Sequence, residues 1–337
     1  MKGHSSLLRS PQTRTQIRRS GQQSLMTYLI EERSLEERLR RRVKVEQEFA
    51  RTGQRFRKKS FVFRHERIFV RPILNLALRA TGLYRVGVEN TLRLEVRELS
   101  LEYPNLPSSF DGFRILHLSD LHIDQIDGLV EAVTQVVKDL PADLCVITGD
   151  YRFEDHGPCE EVYLRMRALL PTISSRHGVY GILGNHDVSE IAYALEDMGM
   201  RMLINEAVEI REGSDVITLA GVDDPFDFQT DDLQGALTGV SRPGFKILLA
   251  HSPELYRQAA AEGVDLYLCG HTHAGQIRFP IVGSLRHNSD CPKEYSYGHW
   301  KMGKMNGYTS PGVGSSGVPV RFNCPPEIVS IELRRSR

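Results

Sequence analysis

The 337 residues are enough for one large α/β domain and a modest appendage, and the proportions of 40% hydrophobic and 26% charged residues are those of an ordinary globular protein. The five cysteines are odd in number and show no CxxC spacing, so nothing in the sequence indicates a disulfide framework, which favours a reducing compartment. A formal net charge of zero hides an asymmetry, because residues 1–86 carry 21 Lys and Arg against 7 Glu. The remainder of the chain is correspondingly acidic.

The N-terminal residues 1–60 contain runs of Arg and Lys with little apolar material. We expect a basic, partly disordered arm, helical where Leu35, Leu39 and Val43 recur at helical spacing. The arm has no apolar core of a secretory signal, which predicts a cytoplasmic protein. It is either a solvated tail or a segment attracted to anionic lipid. Nucleic-acid binding is disfavoured, because no aromatic residues are interleaved with the basic ones in a recognisable motif.

Residues 61–108 are predicted to hold an amphipathic segment and a first strand. The segment covers 68–83, where charged residues and a proline interrupt the apolar ones and argue against a transmembrane helix. Such a segment can lie in a membrane interface, which would place the protein on the inner face of the cytoplasmic membrane. Leu92, Leu94 and Val96 then alternate with polar residues, as in a half-buried strand.

Residues 109–337 show a regular alternation of short apolar runs and amphipathic stretches, which predicts a layered α/β domain. Ser252 and Pro253 are expected to begin the last of the predicted helices, as its N-cap and first helical residue. The predicted strands are 114–118, 144–148, 178–183, 216–220, 246–250 and 266–269. The predicted helices are 127–140, 160–170, 190–198 and 253–262.

Side chains of the kinds that bind metals follow five of these strands. The carboxyl ends of strands are where ligands bind in open α/β sheets. One such residue alone is ordinarily a turn or surface group, but five strand ends together are hard to explain as turn chemistry. Gly149, Gly184 and Gly270 each precede one of them and are expected to allow a tight turn. In strand order the residues are Asp120 and His122, Asp150, Asn185 and His186, His251, and His271 and His273.

This donor set contains oxygen and imidazole nitrogen but no thiolate, which suits Mn²⁺, Fe or Zn²⁺ better than a structural zinc cage. Two metals roughly 3.5–4 Å apart would need a bridging carboxylate and ligands on both sides. Such a pair polarises phosphate oxygens and generates hydroxide for an in-line attack. We therefore expect two divalent ions, with Mn²⁺ as the first choice.

The motifs DLH at 120–122, GD at 149–150, GNHD at 184–187 and GHTH at 270–273, with His251 between the last two, resemble the ordered set of calcineurin-like metallophosphoesterases. The resemblance covers about residues 110–335. It implies a four-layer α/β/β/α sandwich with two mixed β-sheets. It also implies ligand roles: Asp120, His122 and His273 for the first metal, Asn185, His251 and His271 for the second, and Asp150 as the bridge. His186 would be the catalytic group beside the metals.

Three longer stretches, 221–225, 270–280 and 319–328, resemble a bacterial branch that contains membrane-associated phosphodiesterases. Some of its members cleave UDP-2,3-diacylglucosamine. The resemblance implies a phosphodiester or pyrophosphate substrate, with a nuclease or cyclic-nucleotide phosphodiesterase as the alternative. A metal-binding scaffold without activity is disfavoured, because no ligand is missing and His186 is present. The sequence does not predict an oligomeric state.

Several residues outside the ligand set have two interpretations. Arg152, two positions after Asp150, is placed to meet a phosphate, or is a surface arginine. Asp223 and Asp224 line the substrate cleft or form a plain turn. His117 lies within the first core strand and is predicted to be packed or to support a ligand rather than to bind metal. The G-x-G-x-x-G sequence at 312–317 is predicted to be a tight turn at the rim of the site, because no helix follows it.

Overall fold

A computed structural model describes residues 33–52, 70–240, 244–281, 283–284 and 288–336. The predicted alternation of strands and helices is present from residue 114 onward. The helices are α1 Leu35–Thr52, α2 Arg71–Ala80, α3 Leu83–Thr91, α4 Leu129–Val137, α5 Glu160–Leu169, α6 Ser189–Asp197, α7 Leu233–Leu237 and α8 Tyr256–Ala261. The strands are β1 Glu95–Tyr103, β2 Arg114–Leu118, β3 Leu144–Ile147, β4 Val179–Gly181, β5 Arg201–Met202, β6 Glu206–Glu212, β7 Asp215–Gly221, β8 Lys246–Leu249, β9 Leu266–Cys269, β10 Arg278–Phe279, β11 Gly283–Ser284, β12 Gly298–Met302, β13 Met305–Thr309 and β14 Glu327–Arg335.

Two six-stranded sheets form the framework. The first has the order β1-β14-β2-β3-β4-β5, in which β2 to β5 run parallel and β14 is antiparallel to β2. The second has the order β12-β13-β9-β8-β7-β6, with β7, β8, β9 and β13 parallel and the two edge strands antiparallel. Both sheets are therefore mixed, as predicted.

Alternation of side chains along each strand gives both sheets two buried faces. Ile115 of β2 and Leu144 of β3 face the second sheet, where they share one core with Leu249 and Leu268. Leu116, from the same strand as Ile115, joins the core that α4, α5 and α6 cover on the other side. A third core lies between the second sheet and α7 and α8. The four-layer α/β/β/α sandwich is confirmed.

Two local predictions differ from the structure. The first strand begins at Glu95 rather than at Leu92, because Leu92 still caps α3 and pairing with β14 starts at Glu95, opposite Glu327. Ser252 does occupy the N-cap position, but its hydroxyl makes no capping bond, and the segment opens with a 3₁₀ turn before α8. The sequence pattern correctly predicted the presence of this strand and this helix, but not the residues at which they begin.

The predicted helix around Leu35 and Leu39 is present as α1, but it is not a solvated element. Leu39, Arg38 and Arg42 are buried against the α/β domain, so part of the basic segment belongs to its packing. Residues 1–32 and 53–69, which hold the rest of the predicted arm, lie outside the described residues. The division into segments 1–60, 61–108 and 109–337 stays a prediction. None of the described helices combines the length and apolar character needed to cross a bilayer.

Candidate metal centre

The carboxyl ends of β2, β3, β4, β8 and β9 meet at one edge of the sandwich. The side chains that follow them form one cluster, and all but His186 are buried. The structure therefore brings together every residue of the predicted set. These are Asp120, His122, Asp150, Asn185, His186, His251, His271 and His273.

One half of the cluster is formed by Asp120, His122 and His273. The Nε2 atoms of the two histidines lie 3.2 Å apart, and Nε2 of His273 is 3.4 Å from Oδ1 of Asp120. Nδ1 of His122 is 2.7 Å from the carbonyl oxygen of Arg152, to which it must donate a hydrogen bond because a carbonyl only accepts. The neutral ring then presents its Nε2 lone pair to the cluster, which is the orientation of a metal ligand.

The other half is formed by Asn185, His251 and His271. Oδ1 of Asn185 lies 3.0 Å from Nε2 of His251 and 2.9 Å from Nδ1 of His271. His251 is oriented by its Nδ1, which donates to the carbonyl oxygen of Thr148 at 2.8 Å. Two imidazoles and an amide oxygen thus converge on one point, as ligands of a divalent ion do.

Asp150 lies between the two halves. Its Oδ2 is 3.3 Å from Nε2 of His251 and 3.7 Å from Nε2 of His122. Its Oδ1 accepts a hydrogen bond from the backbone N–H of His186 at 2.8 Å. This central position is the one that a bridging carboxylate needs.

The buried carboxylates of the cluster need a positive charge to compensate them. Asp120 and Asp150 are buried, and neither forms an ion pair with Lys or Arg among the described residues. Burial raises the pKa of Asp120 to about 7. Burial also disfavours the charge of Asp150, but the positive charges of His251 and His186 hold its pKa well below the usual range. Because buried carboxylates require a compensating charge, the donor set fits divalent metal ions.

Backbone strain is concentrated at the same residues. Five of the seven predicted ligands have a left-handed backbone, which is uncommon for residues other than glycine. Such conformations persist where the surrounding structure enforces them, and they are frequent at functional sites. The five ligands are Asp120 (φ 49°), His122 (φ 39°), Asp150 (φ 56°), His271 (φ 70°) and His273 (φ 49°).

The three glycines that precede ligands have two different roles. Gly149 has a φ of 87° and permits the tight turn that was predicted for all three. For Gly184 and Gly270 that explanation is wrong, since neither has a positive φ. Both are required for space: a Cβ on Gly184 would lie 2.2 Å from Oδ1 of Asp150, and one on Gly270 would lie 2.0 Å from Oδ2 of Asp120.

We expect Gly270→Ala to lower the metal content of the protein, because the added methyl group must displace the Asp120 carboxylate. Metal bound per chain, measured by mass spectrometry after dialysis, checks this. Gly213→Ala is the control: Gly213 has a positive φ of 59°, which Gly270 has not, but a Cβ there would meet no other atom, so the change should cost only backbone strain and leave the metal content unchanged. Equal metal content in both variants would contradict the spatial argument.

Further side chains hold the ligand loops in place. Asp187, the last residue of the GNHD motif, accepts hydrogen bonds from the backbone N–H groups of Asp150 and Gly184, both at 2.8 Å. The hydroxyl of Ser119 donates to Oδ2 of Asp120 at 2.6 Å. His117 continues this chain through Thr148. His117 thus supports Asp120 indirectly, through Thr148 and Ser119, as predicted, and burial lowers its pKa to about 3.

Arg42 of α1 is a supporting residue that the sequence did not reveal. Its guanidinium is fully buried and donates to the carbonyl oxygens of Gly184 and Asp187, each at 2.7 Å. It also pairs with Oδ1 of Asp223 at 2.5 Å and lies 3.9 Å from the centre of the Phe228 ring. Arg42 therefore ties the GNHD loop to the loop after β7.

A cavity of about 420 Å³ opens over the cluster and is lined by Asp150, Asn185, His186, His271 and His273. Apolar side chains line its outer part. Ser316 and Gly317, from the 312–317 sequence, also border it, which agrees with the predicted position of that sequence at the rim of the site. The apolar lining consists of Val70, Leu74, Ile277, Phe279 and Val318.

Three predicted substrate-binding residues do not line this cavity. Arg152 is buried, and its guanidinium donates to Sγ of Cys159 and to the carbonyl oxygen of Gly157. Asp223 is paired with Arg42, and Asp224 accepts from backbone N–H groups after β7. All three side chains stabilise loops in the structure, and the contacts of Asp224 are those of the plain turn given as the alternative; a role in holding substrate stays a prediction.

Comparison with known proteins gives the following matches. The family model described as calcineurin-like phosphoesterase matches residues 113–275. The metallophosphoesterase YkuE of Bacillus subtilis is 29% identical over 253 residues, which cover 72% of this chain and 86% of YkuE. The phosphodiesterase YaeI of Escherichia coli is 30% identical over 235 residues, covering 66% and 82%. Among solved structures, the sulfate thiohydrolase SoxB matches with a TM-score of 0.42 and 13% identity, over 68% of this chain and 57% of SoxB.

Proposed function

Since the chain belongs to the calcineurin-like phosphoesterase family and is a metal-dependent phosphoric ester hydrolase, we propose that it hydrolyses phosphodiester or pyrophosphate bonds at the cluster around Asp150. The observation that carries the proposal is the convergence of seven ligand-type side chains from both sheets, with His186 beside them. A family relative named as a phosphodiesterase supports the choice of a diester.

The family and the clustered side chains indicate a dinuclear site for divalent ions. We assign Asp120, His122 and His273 to one ion, Asn185, His251 and His271 to the other, and Asp150 to both. When bound, such ions polarise the phosphate oxygens and increase the acidity of the attacking water. We propose Mn²⁺ as the physiological metal, because the donors are carboxylate, amide and imidazole groups without thiolate.

His186 is the group that we assign to proton transfer. Its ring lies against His122, with 4.9 Å between the ring centres, and its Nδ1 donates to the carbonyl oxygen of Phe153 at 2.5 Å. Because Nδ1 must carry a proton to donate this hydrogen bond, Nε2 is also protonated only when the ring is an imidazolium. One nitrogen of His186 lies within 4.8 Å of the ligand atoms of His122 and Asp150. An imidazolium held there can stabilise the phosphate and protonate the leaving oxygen.

The outer cavity supports a finer proposal about the substrate. Its apolar lining suits an acylated phosphoester better than a nucleic acid, whose backbone is polar and charged. We therefore propose a lipid-linked substrate such as UDP-2,3-diacylglucosamine, and a location on the inner face of the cytoplasmic membrane. A nuclease or cyclic-nucleotide phosphodiesterase is the alternative, and turnover of each substrate class by the purified protein distinguishes them.

We expect the purified protein to hydrolyse bis-p-nitrophenyl phosphate faster than p-nitrophenyl phosphate when Mn²⁺ is present. Treatment with EDTA followed by dialysis should abolish the activity, because no protein group replaces the charge of the metals, and added Mn²⁺ should restore it. Parallel restoration with Zn²⁺ and Fe²⁺ tests the choice of metal. Full activity after EDTA treatment would refute a metal-dependent reaction.

A further inference from the structure

Large apolar side chains are exposed around the mouth of the cavity that leads to the metal centre. Val70, Ile73 and Leu76 are 54%, 65% and 70% exposed, and Phe279 and Ile281 are 50% and fully exposed. Val70 and Phe279 both line the cavity, so the two segments border the same opening. Contiguous exposed apolar groups of this kind mark sites of interaction.

The exposed residues of α2 lie on a single face of that helix. Val70, Ile73 and Leu76 follow each other at intervals of three residues, which places them on one side. The opposite side is used for packing, because Leu74 and Leu78 contact Val318 and Val320 near the cavity rim. α2 is thus anchored on one side and presents a second apolar face outward.

The charged residues in and around α2 indicate an anionic partner. α2 and α3, residues 71–91, contain Arg71, Arg79 and Arg85 against a single acidic residue, Glu89. The side chain of Arg85 is exposed but pairs with Glu89 at 2.9 Å, and Arg79 lies 3.9 Å from the centre of the Tyr84 ring. In the sequence, residues 55–67, which lie outside the described part of the chain, carry six basic residues against one Glu. An apolar helix face beside basic residues is the combination that binds an anionic bilayer surface.

We propose that the outward face of α2, together with Phe279 and Ile281, inserts into an anionic membrane and opens the metal centre towards it. The membrane contact follows from the exposed side chains and the charge, whereas the access of a lipid phosphoester to the centre rests on the proposed function. A chain docked in this way receives its substrate from the bilayer through the apolar cavity mouth.

Co-sedimentation with vesicles tests the docking surface. The probes are vesicles of phosphatidylglycerol and phosphatidylcholine in equal parts, and vesicles of phosphatidylcholine alone. We expect the full chain to bind the anionic vesicles, and the double variant Ile73→Ser, Leu76→Ser to bind on the order of tenfold more weakly. Leu164→Ser is the matched control, because Leu164 is also 65% exposed but lies on α5.

A second readout separates docking from catalysis. Neither Ile73 nor Leu76 contributes to the metal centre, so all variants should hydrolyse soluble bis-p-nitrophenyl phosphate at the same rate. A diester lipid embedded in the vesicles should be hydrolysed more slowly by the double variant. Absence of soluble turnover would refute the proposed function and leave vesicle binding as an independent result.

Three outcomes would overturn the docking proposal. In the first, the full chain stays in the supernatant with anionic vesicles. In the second, the double variant binds them as well as the unchanged chain does. In the third, the chain self-associates with rising concentration and the double variant abolishes this, which would assign the apolar face to a second copy of the chain.

Discussion

Replacing His186 by alanine is expected to lower the turnover of a soluble diester by a factor on the order of 10²–10⁴, the usual contribution of a positioned acid or base. The metal content should remain unchanged, because His186 is assigned to proton transfer and not to metal binding. Its side chain is only partly buried and is held by the carbonyl oxygen of Phe153, so its removal should perturb the fold little. Turnover and bound metal are measured on the same preparation.

Two ligand variants provide the contrast for His186→Ala. Asp150→Asn keeps the shape of the side chain but removes the negative charge shared by both halves of the cluster, so both activity and metal should be lost. His271→Ala should lose the metal bound with Asn185 and His251. If His186→Ala also lost metal, or kept full turnover, the division between seven ligands and one catalytic group would be wrong.

The ligand set was predictable because its residues follow strands in a simple local pattern. Each of Asp120, Asp150 and His251 comes within two residues of an apolar run, and parallel strands bring such positions to one sheet edge. No long-range information was needed to place them together. The metal roles assigned to these side chains depend on the family resemblance, and the geometry around Asp150 agrees with them.

The supporting residues were not predictable in the same way. For Asp223 and Asp224 the sequence left open whether they line the cleft or form a turn, because a carboxylate in a turn is satisfied equally well by Arg42 or by nearby backbone N–H groups. Only the folded chain shows which partner it has. α1 presents the same difficulty, because an arginine-rich helix has the sequence of a solvated one until its docking is known.

The burial of Arg42 gives a prediction of large effect. Arg42→Met keeps most of the side-chain volume but leaves the buried Asp223 carboxylate without its cation, and two carbonyl oxygens lose their donor. Breaking a buried ion pair on one side costs about 3–5 kcal/mol, so the free energy of unfolding should fall by that amount. Equilibrium denaturation in urea of the metal-free protein measures it without a contribution from metal binding.

Arg41→Met is the matched control for this variant. Arg41 is the neighbouring residue on α1, but its side chain is 55% exposed and its ion pair with Asp232 is long, at 3.8 Å. A surface pair of this kind contributes less than about 1 kcal/mol. Arg42→Lys should not restore stability, because an ammonium group cannot reproduce the planar fork that reaches Asp223, Gly184 and Asp187 together. Equal stability of Arg42→Met and Arg41→Met would show that the buried contacts of Arg42 do not stabilise the loops around the metal centre.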